Sequence, residues 1–286
     1  MNHPSKDVIY LLAYPRSGGN WFRYCFEFVT KKATGQMPKF TRKNGTTTST
    51  KSPYLLWETL ATGSQFLYHT HRPFDASWEQ ALDSGIPVKN ILLLRNYKEA
   101  VISNLVNLGP DNPASELAFA FEHGAVMNEL SAHYLVTSLY DKFLEHDHEG
   151  GLLIYYEDFI EDPASTLMKV IDYLEKNFDK TIILSSDEMK INLNTLLENF
   201  DHHRNISLNS YREDKTQINM ALTSYDLNKK KEKSSDLLYY SSRLHKYNLL
   251  DMDKTIKELD IVLFYKYLSR YDSKDGLADV LGDLHE

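Results

Sequence analysis

The feature that most constrains the fold is an apolar strand that runs directly into a glycine turn and a helix. Residues 8–13 form an unbroken apolar run, Val-Ile-Tyr-Leu-Leu-Ala, which is typical of a strand buried on both faces of a sheet. The turn Pro-Arg-Ser-Gly-Gly ends at residue 19, and from residue 20 to residue 31 apolar side chains recur at helical spacing. The chain is therefore predicted to begin with a strand, a glycine turn and a helix.

The rest of the chain repeats this alternation. Three more apolar runs predict strands, at residues 66–68, 91–94 and 152–155. Helical patterns follow them, and Asp162 before Pro163 is typical of a helix start. Alternating strands and helices predict the α/β class, a three-layer α/β/α domain around a central, mostly parallel sheet. The sequence shows no internal repeat and no sharp boundary, so we predict a single domain over residues 1–286.

Composition and charge indicate which classes of partner and which cellular compartment to expect. The net charge is −8, from 32 basic and 40 acidic residues, which argues against a nucleic-acid-binding protein. The single cysteine, Cys25, excludes an internal disulfide framework and fits a reducing compartment. No apolar run reaches the ~18 residues of a membrane span, and the polar N-terminus does not read as a signal peptide. We therefore expect a cytoplasmic protein without a membrane partner.

The glycine turn is a predicted phosphate site. Gly18 and Gly19 let the backbone approach a ligand closely, and the start of the helix presents free N–H groups at the positive end of its dipole. Arg16 and Ser17 add a cation and a hydroxyl. The plainer alternative is an ordinary strand-to-helix turn. No lysine follows the second glycine, so the turn is not a Walker A motif, which weakens the ATPase and GTPase interpretations.

The segment over residues 14–21, Tyr-Pro-Arg-Ser-Gly-Gly-Asn-Trp, resembles the 5′-phosphosulfate loop of the sulfotransferases that use 3′-phosphoadenosine-5′-phosphosulfate (PAPS). The resemblance implies a P-loop NTPase-like sulfotransferase fold, PAPS as donor, and 3′-phosphoadenosine-5′-phosphate (PAP) as product. It assigns donor contacts to Arg16, Ser17, Gly18, Gly19, Asn20 and Trp21. In the family the tryptophan lies against the adenine. Gly19 and Asn20 depart from the family's usual residues, although an asparagine side chain can still donate a hydrogen bond to phosphate.

Residues 92–103, Leu-Leu-Leu-Arg-Asn-Tyr-Lys-Glu-Ala-Val-Ile-Ser, are similar to a second motif of the same family. In the family its arginine and the serine eight residues later bind the 3′-phosphate, and Arg95 and Ser103 stand at that separation. Two turns of helix can bring Ser103 back toward the strand end, and a forked guanidinium suits a terminal phosphate. Taken alone, Arg95 is better interpreted as a surface arginine at a strand end, and the phosphate role is favoured only together with the loop at Arg16. Tyr97 replaces a family proline, a local change that we expect to leave the contacts of Arg95 and Ser103 with the 3′-phosphate unaffected.

Two further segments extend the resemblance. Residues 155–163 are similar to a third motif, whose tyrosine, here Tyr156, contacts the nucleotide in family members. The segment His-Thr-His-Arg-Pro occupies the place of the family's Lys-Thr-His, so the resemblance implies that His71 is the general base. A histidine with a pKa near ~6.5 suits that role. The family's lysine has become His69. Either His69 carries part-time positive charge there, or Arg16 takes a larger share of the stabilisation.

The resemblance covers residues 8–175, whereas residues 178–286 diverge and are expected to form acceptor-side and lid segments. The family's basic motif near the C-terminus is missing. Arg212, Arg204 and the lysines at 229–231 are the candidates to replace it, and the sequence does not choose between them.

The function expected from the resemblance is in-line transfer of a sulfuryl group to a hydroxyl or amine of a small molecule, with no metal. Two alternatives stay open: a nucleotide-dependent kinase on the same scaffold, and a non-catalytic module that binds PAP or PAPS. Whether the chain forms a homodimer also stays open.

Overall fold

The computed structural model describes residues 9–36, 62–70, 89–108, 125–146, 149–179, 181–205, 207 and 249–272. The chain divides into two compact units, each made of two chain segments. The first unit comprises residues 1–95 and 139–218, and the second comprises residues 96–138 and 219–286. A single domain over the whole chain stays a prediction.

The first unit contains a five-stranded sheet in the order β2-β3-β1-β4-β5, and every neighbouring pair is parallel. The strands are β1 (Ile9–Ala13), β2 (Lys32–Gln36), β3 (Thr62–Thr70), β4 (Lys89–Leu94) and β5 (Gly151–Tyr155). All five residues of β1 are buried, as expected for the central strand of a parallel sheet. The predicted α/β class with a parallel sheet is confirmed.

The described helices follow the chain in a regular order. They are α1 (Gly19–Thr30), α2 (Tyr97–Leu108), α3 (Ala125–His146), α4 (Tyr156–Glu161), α5 (Pro163–Asn177), α6 (Ser186–Glu198) and α7 (Leu249–Leu259). In the first unit, α1 and α5 both pack against α6, and their apolar side chains join those of β1 and β4 in one core. Helix α5 begins where the sequence predicts, because the Asp162 side chain accepts a hydrogen bond of 2.9 Å from the Ser165 backbone N–H.

Edge strand β2, which the sequence analysis leaves unpredicted, is joined to α1 by buried charged side chains. Arg23 Nε donates to Thr34 Oγ1 at 2.9 Å, and the Thr34 backbone N–H donates to Glu27 Oε1 at 2.8 Å. Arg23 and Glu27 are 0% and 2% exposed. Buried charges are tolerated when they are hydrogen-bonded. Thr34 on the strand provides a hydrogen bond to each of the two charged side chains on the helix.

The second unit is helical in its described part. It contains α2, the beginning of α3, and α7, which is followed by α8 (Ile261–Leu263), a π-helical turn (Phe264–Leu268) and a 3₁₀ turn (Ser269–Tyr271). The aromatic ring of Tyr97 lies edge-on to the rings of His133, Phe264 and Tyr271, with centroid distances of 6.1, 6.5 and 6.4 Å. In the described part of either unit, no helix has the length and apolar character needed to cross a membrane.

Candidate active site

The carboxyl ends of four strands bring most of the predicted site residues to one edge of the first unit's sheet. Leu11 of β1 pairs with His69 of β3, and Leu94 of β4 pairs with Tyr155 of β5. The turn after β1, Arg95 after β4, and the helix that begins after β5 therefore start at the same edge. In open parallel sheets of α/β proteins, ligands bind at this edge.

The turn after β1 has an unusual backbone. Arg16 and Gly18 both adopt left-handed conformations, with φ values of 68° and 85°. The Arg16 side chain is exposed, whereas the Ser17 side chain between the two is 1% exposed. A left-handed conformation costs a non-glycine residue about 1–2 kcal/mol. The chain keeps an arginine where a glycine would be less strained, and strain of this kind concentrates at functional sites.

Both glycines of the turn are packed too closely to accept a side chain. A Cβ atom on Gly18 would overlap the ring of Tyr156, and a Cβ atom on Gly19 would lie 2.7 Å from Nε2 of His69. His69 is 3% exposed and therefore lies buried against the first residue of α1. The turn is thus fitted between a tyrosine from the end of β5 and a histidine from β3.

The start of α1 is open, in the sense that no side chain caps its first N–H groups. The first hydrogen bond of the helix runs from the Phe22 N–H to the Gly18 carbonyl at 3.0 Å, and the N–H groups of residues 19–21 precede it. No side chain caps this helix, and its first turn holds no acidic residue. Ser17 Oγ is buried and has no hydrogen-bond partner among the described residues. A buried hydroxyl without a partner is costly, and an anion at the helix start would satisfy it together with the N–H groups.

Arg95 joins the turn to the end of β5. Its Nη1 donates a hydrogen bond of 2.9 Å to the backbone carbonyl of Arg16. Its guanidinium carbon lies 5.1 Å from the centroid of the Tyr156 ring, within the range of a cation–π contact. The structure therefore brings Arg16, Gly18, Arg95 and Tyr156 into one cluster, and the two arginines give that cluster a positive charge suited to an anion.

Trp21 lies in the core of the first unit, 8% exposed. Its ring stacks on those of Tyr24 and Phe159, with centroids 5.6 and 6.3 Å away, and meets Phe200 edge-on at 5.1 Å. Its buried Nε1 has no hydrogen-bond partner among the described residues. Contact between this ring and an adenine stays a prediction.

Comparison with known proteins decides the family. The chain matches the family described as the sulfotransferase domain over residues 6–248. It belongs to that family. The match continues past residue 175, where the motif resemblance seen in the sequence ends, and so includes helix α6 of this sulfotransferase domain. No curated protein matches the chain.

Three solved sulfotransferase structures are similar at low identity. Mouse sulfotransferase SULT7A1, complexed with PAP, is 19% identical with a TM-score of 0.42, and the match covers 68% of this chain. The sulfotransferase domain of the Synechococcus PCC 7002 olefin synthase is 17% identical with a TM-score of 0.38, and the match covers 66% of this chain and 80% of that domain. The sulfotransferase domain of the curacin biosynthetic pathway is 16% identical with a TM-score of 0.39, with 63% and 77% covered. The match spans 64% of the mouse protein, less than two thirds of its length.

The remaining residues of the predicted site lie in different parts of the chain. Asn20 is partly exposed in the first turn of α1. Ser103 is partly exposed on α2 in the second unit, so its pairing with Arg95 stays a prediction. His71 and Arg212 lie outside the described residues. Within the part of the chain that the structure describes, no group of three or more His, Cys, Asp or Glu side chains is arranged to hold a metal ion.

One polar cluster was missed from the sequence. Tyr97, which stands where the sulfotransferase motif has proline, donates a hydrogen bond from its hydroxyl to Asp253 Oδ1 on α7. Burial, and then this hydrogen bond, raise the pKa of Tyr97 far above its usual value. The expectation that this substitution is local is therefore wrong, because the tyrosine connects α2 to a residue 156 positions later in the chain. No local pattern in the sequence identifies Asp253 as that partner.

Proposed function

We propose that this chain is a sulfotransferase that moves a sulfuryl group from PAPS to a hydroxyl or amine of a small molecule. Ser17 Oγ carries the proposal: it is a buried hydroxyl with no hydrogen-bond partner among the described residues, and it lies at the open start of α1. This arrangement fits the 5′-phosphosulfate of the donor, because phosphate and sulfate oxygens accept hydrogen bonds from hydroxyl and N–H groups. When bound, PAPS supplies an electrophilic sulfur and a phosphate leaving group.

The proposed donor contacts divide between the two ends of the nucleotide. Ser17 and the N–H groups of residues 19–21 bind the 5′-phosphosulfate, with Arg16 as a nearby cation. Arg95, with Ser103 and Arg212, binds the 3′-phosphate. The hydrogen bond from Arg95 to the Arg16 carbonyl supports this division, because it ties the 3′-phosphate arginine to the backbone of the 5′ loop.

In the proposed reaction, an acceptor oxygen or nitrogen attacks the sulfur in line with the bond to the 5′-phosphate oxygen. The new bond to sulfur forms as the old one breaks, and the electron pair of the broken bond stays on the phosphate oxygen. His71 takes the acceptor proton. Arg16, Ser17 and the N–H groups of the loop stabilise the growing negative charge. His69, which lies against Gly19, either shares in that stabilisation or leaves the larger part of it to Arg16.

The test is transfer from PAPS labelled with radioactive sulfur to a mixture of phenols, alcohols and amines. We expect labelled product from the wild-type chain and none from His71→Ala, while His71→Ala keeps wild-type affinity for PAP by calorimetry. Wild-type chain that binds PAP but labels no acceptor would favour the non-catalytic nucleotide-binding module. Phosphate transfer from ATP, with no affinity for PAP, would favour the kinase and overturn the proposal.

A further inference from the structure

The first turn of α2 is bonded to α7 through one buried carboxylate. Asp253 is 4% exposed, and its Oδ1 accepts a hydrogen bond from the Tyr97 hydroxyl. The same oxygen lies 2.8 Å from Nζ of Lys98, which is itself 9% exposed. Two consecutive residues at the start of α2 therefore share a single acceptor on a helix far along the chain.

The surroundings make this contact rigid. The Tyr97 ring is fully buried and is enclosed edge-on by the three aromatic rings of His133, Phe264 and Tyr271. The backbone at the same place is fixed by Asn96, whose Oδ1 accepts a hydrogen bond of 3.1 Å from the Lys98 N–H. A buried ion pair that also receives a hydrogen bond is sensitive to the loss of any member, because each remaining group is left desolvated.

Helix α2 connects this buried contact to Ser103, a residue of the proposed donor site. Ser103 lies six residues after Tyr97 on the same helix, less than two turns from the bonded end. A helix of this length moves as one body, so the contact at Tyr97 and Lys98 determines where Ser103 is held.

We propose that Asp253 is a positioning residue for recognition of the donor's 3′-phosphate, acting through Tyr97 and Lys98 on the helix that carries Ser103. This inference rests on the proposed function, which assigns Ser103 to the 3′-phosphate. It assigns a role to a residue of the divergent C-terminal part of the chain, beyond the segment where the family motifs lie.

The test compares the affinities of PAP and of adenosine 5′-monophosphate (AMP), which lacks the 3′-phosphate. Calorimetry gives the ratio of the two dissociation constants, which measures how much the 3′-phosphate adds to binding. We expect a ratio of about tenfold or more for the wild-type chain and a clear fall for Ser103→Ala. Asp253→Asn and Tyr97→Phe should each lower the ratio by about three- to tenfold, because small displacements weaken directed contacts strongly. Tyr97→Phe keeps the buried ring and the ion pair, so it provides a folded variant even if Asp253→Asn does not fold.

The matched control is Asp272→Asn. It removes the ion pair of 2.6 Å between Lys257 and Asp272 in the same part of the second unit, and it keeps the hydrogen bond from Tyr97 and the ion pair with Lys98 on Asp253. We expect this variant to lower the thermal midpoint of unfolding and to leave the PAP-to-AMP ratio unchanged. An unchanged ratio in Tyr97→Phe, and in Asp253→Asn where that variant folds, overturns the positioning role and assigns Asp253 to stability alone. Failure of the wild-type chain to prefer PAP over AMP overturns the proposed function itself.

Discussion

Two helices of this sulfotransferase domain follow two neighbouring strands, and their first turns are built in opposite ways. Helix α1 follows β1, and helix α2 follows β4. At the start of α1, no side chain caps the helix, and Ser17 Oγ has no hydrogen-bond partner among the described residues. At the start of α2, Asn96 accepts from the backbone, and Asp253 accepts from Tyr97 and pairs with Lys98.

Under the proposed function, the start of α1 is a ligand-binding site, whereas the start of α2 is a structural contact. Burying a polar group without a partner costs free energy, so the Ser17 hydroxyl adds nothing to the stability of the unliganded fold. The closed start of α2 has protein partners in place of a ligand. Substitutions at the first should therefore change binding more than stability, unless they block the turn itself.

The largest effect is expected where the open turn is blocked. Gly18→Val should destabilise the chain by about 3 kcal/mol and abolish PAP binding, because valine is strained at a φ of 85° and its side chain would overlap Tyr156. Urea unfolding and calorimetry measure the two effects. Adding Tyr156→Ala should restore part of the stability by removing the overlap. A Gly18→Val variant with wild-type stability would show that the turn is not packed against Tyr156.

Removal of the exposed cation should change binding alone. Arg16→Gly relieves the left-handed strain at a φ of 68° and keeps the backbone carbonyl that accepts from Arg95. The glycine removes strain from the folded chain, which is stabilising, but it also gives the unfolded chain more conformational freedom, which is destabilising. Because these two effects oppose each other, the free energy of unfolding should change by less than about 1 kcal/mol. PAP affinity should fall about 30-fold through loss of a charge-assisted contact. Arg16→Lys, which keeps the charge, should lose less; equal losses in both variants would contradict a charge-based role.

Two buried hydroxyls, one at each end of α1, allow a direct comparison in which a smaller effect is expected. Ser17→Ala should leave stability unchanged or slightly raised, because its hydroxyl has no partner in the described structure, and should weaken PAP binding about tenfold. Thr30→Val is the matched control, since Thr30 Oγ1 donates to the Phe26 carbonyl at 2.7 Å. It should cost about 1 kcal/mol of stability and leave PAP affinity intact. Equal changes in stability and in PAP affinity for the two variants would contradict a ligand-binding role for Ser17.

The smallest effect is a pH dependence at the side of α1. His203 Nδ1 lies 2.9 Å from the Tyr24 hydroxyl, and burial, followed by the charges of His202 and Lys31, lowers the pKa of His203. The unfolded chain then binds this proton more readily than the folded one, so the histidine's contribution is present above a pH of about 6.5 and is lost as the pH falls through the lowered value. Thermal unfolding between about pH 7.5 and about pH 5.5 measures it.

Two histidine variants test the source of that pH dependence. His203→Gln should flatten the slope of the thermal midpoint against pH, whereas His202→Gln should keep most of it because burial is the larger cause. A slope that survives His203→Gln would assign the dependence to another group.

The sequence predicted those features that depend on local pattern. The apolar run at β1, the glycine turn, and the Asp-Pro start of α5 each carry their signal within a few residues, and the structure confirms the corresponding elements. Helix α6 also carries such a signal, a capping box between Ser185 and Glu188, which the sequence analysis did not use.

The features that escaped prediction depend on partners far along the chain. Strand β2 reads Lys-Ala-Thr-Gly-Gln, a polar edge strand without apolar alternation, and its Thr34 is hydrogen-bonded to the buried Arg23 and Glu27 of α1. No pattern in the sequence around Arg23 and Glu27 indicates that these two charged residues are buried. The contact between Tyr97 and Asp253 is hidden for the same reason, since either residue alone has no distinguishing pattern.

The division of the second unit between two chain segments has a consequence for biosynthesis. Residues 96–138 leave the ribosome well before residues 219–286, which supply Asp253 and the aromatic rings of Phe264 and Tyr271 around Tyr97. At about 5–20 residues per second, the ribosome takes roughly 6 to 23 seconds to pass from residue 138 to residue 253. During that time Tyr97 and Lys98 lack Asp253 and the rings of Phe264 and Tyr271, so the nascent chain should depend on chaperones over this interval.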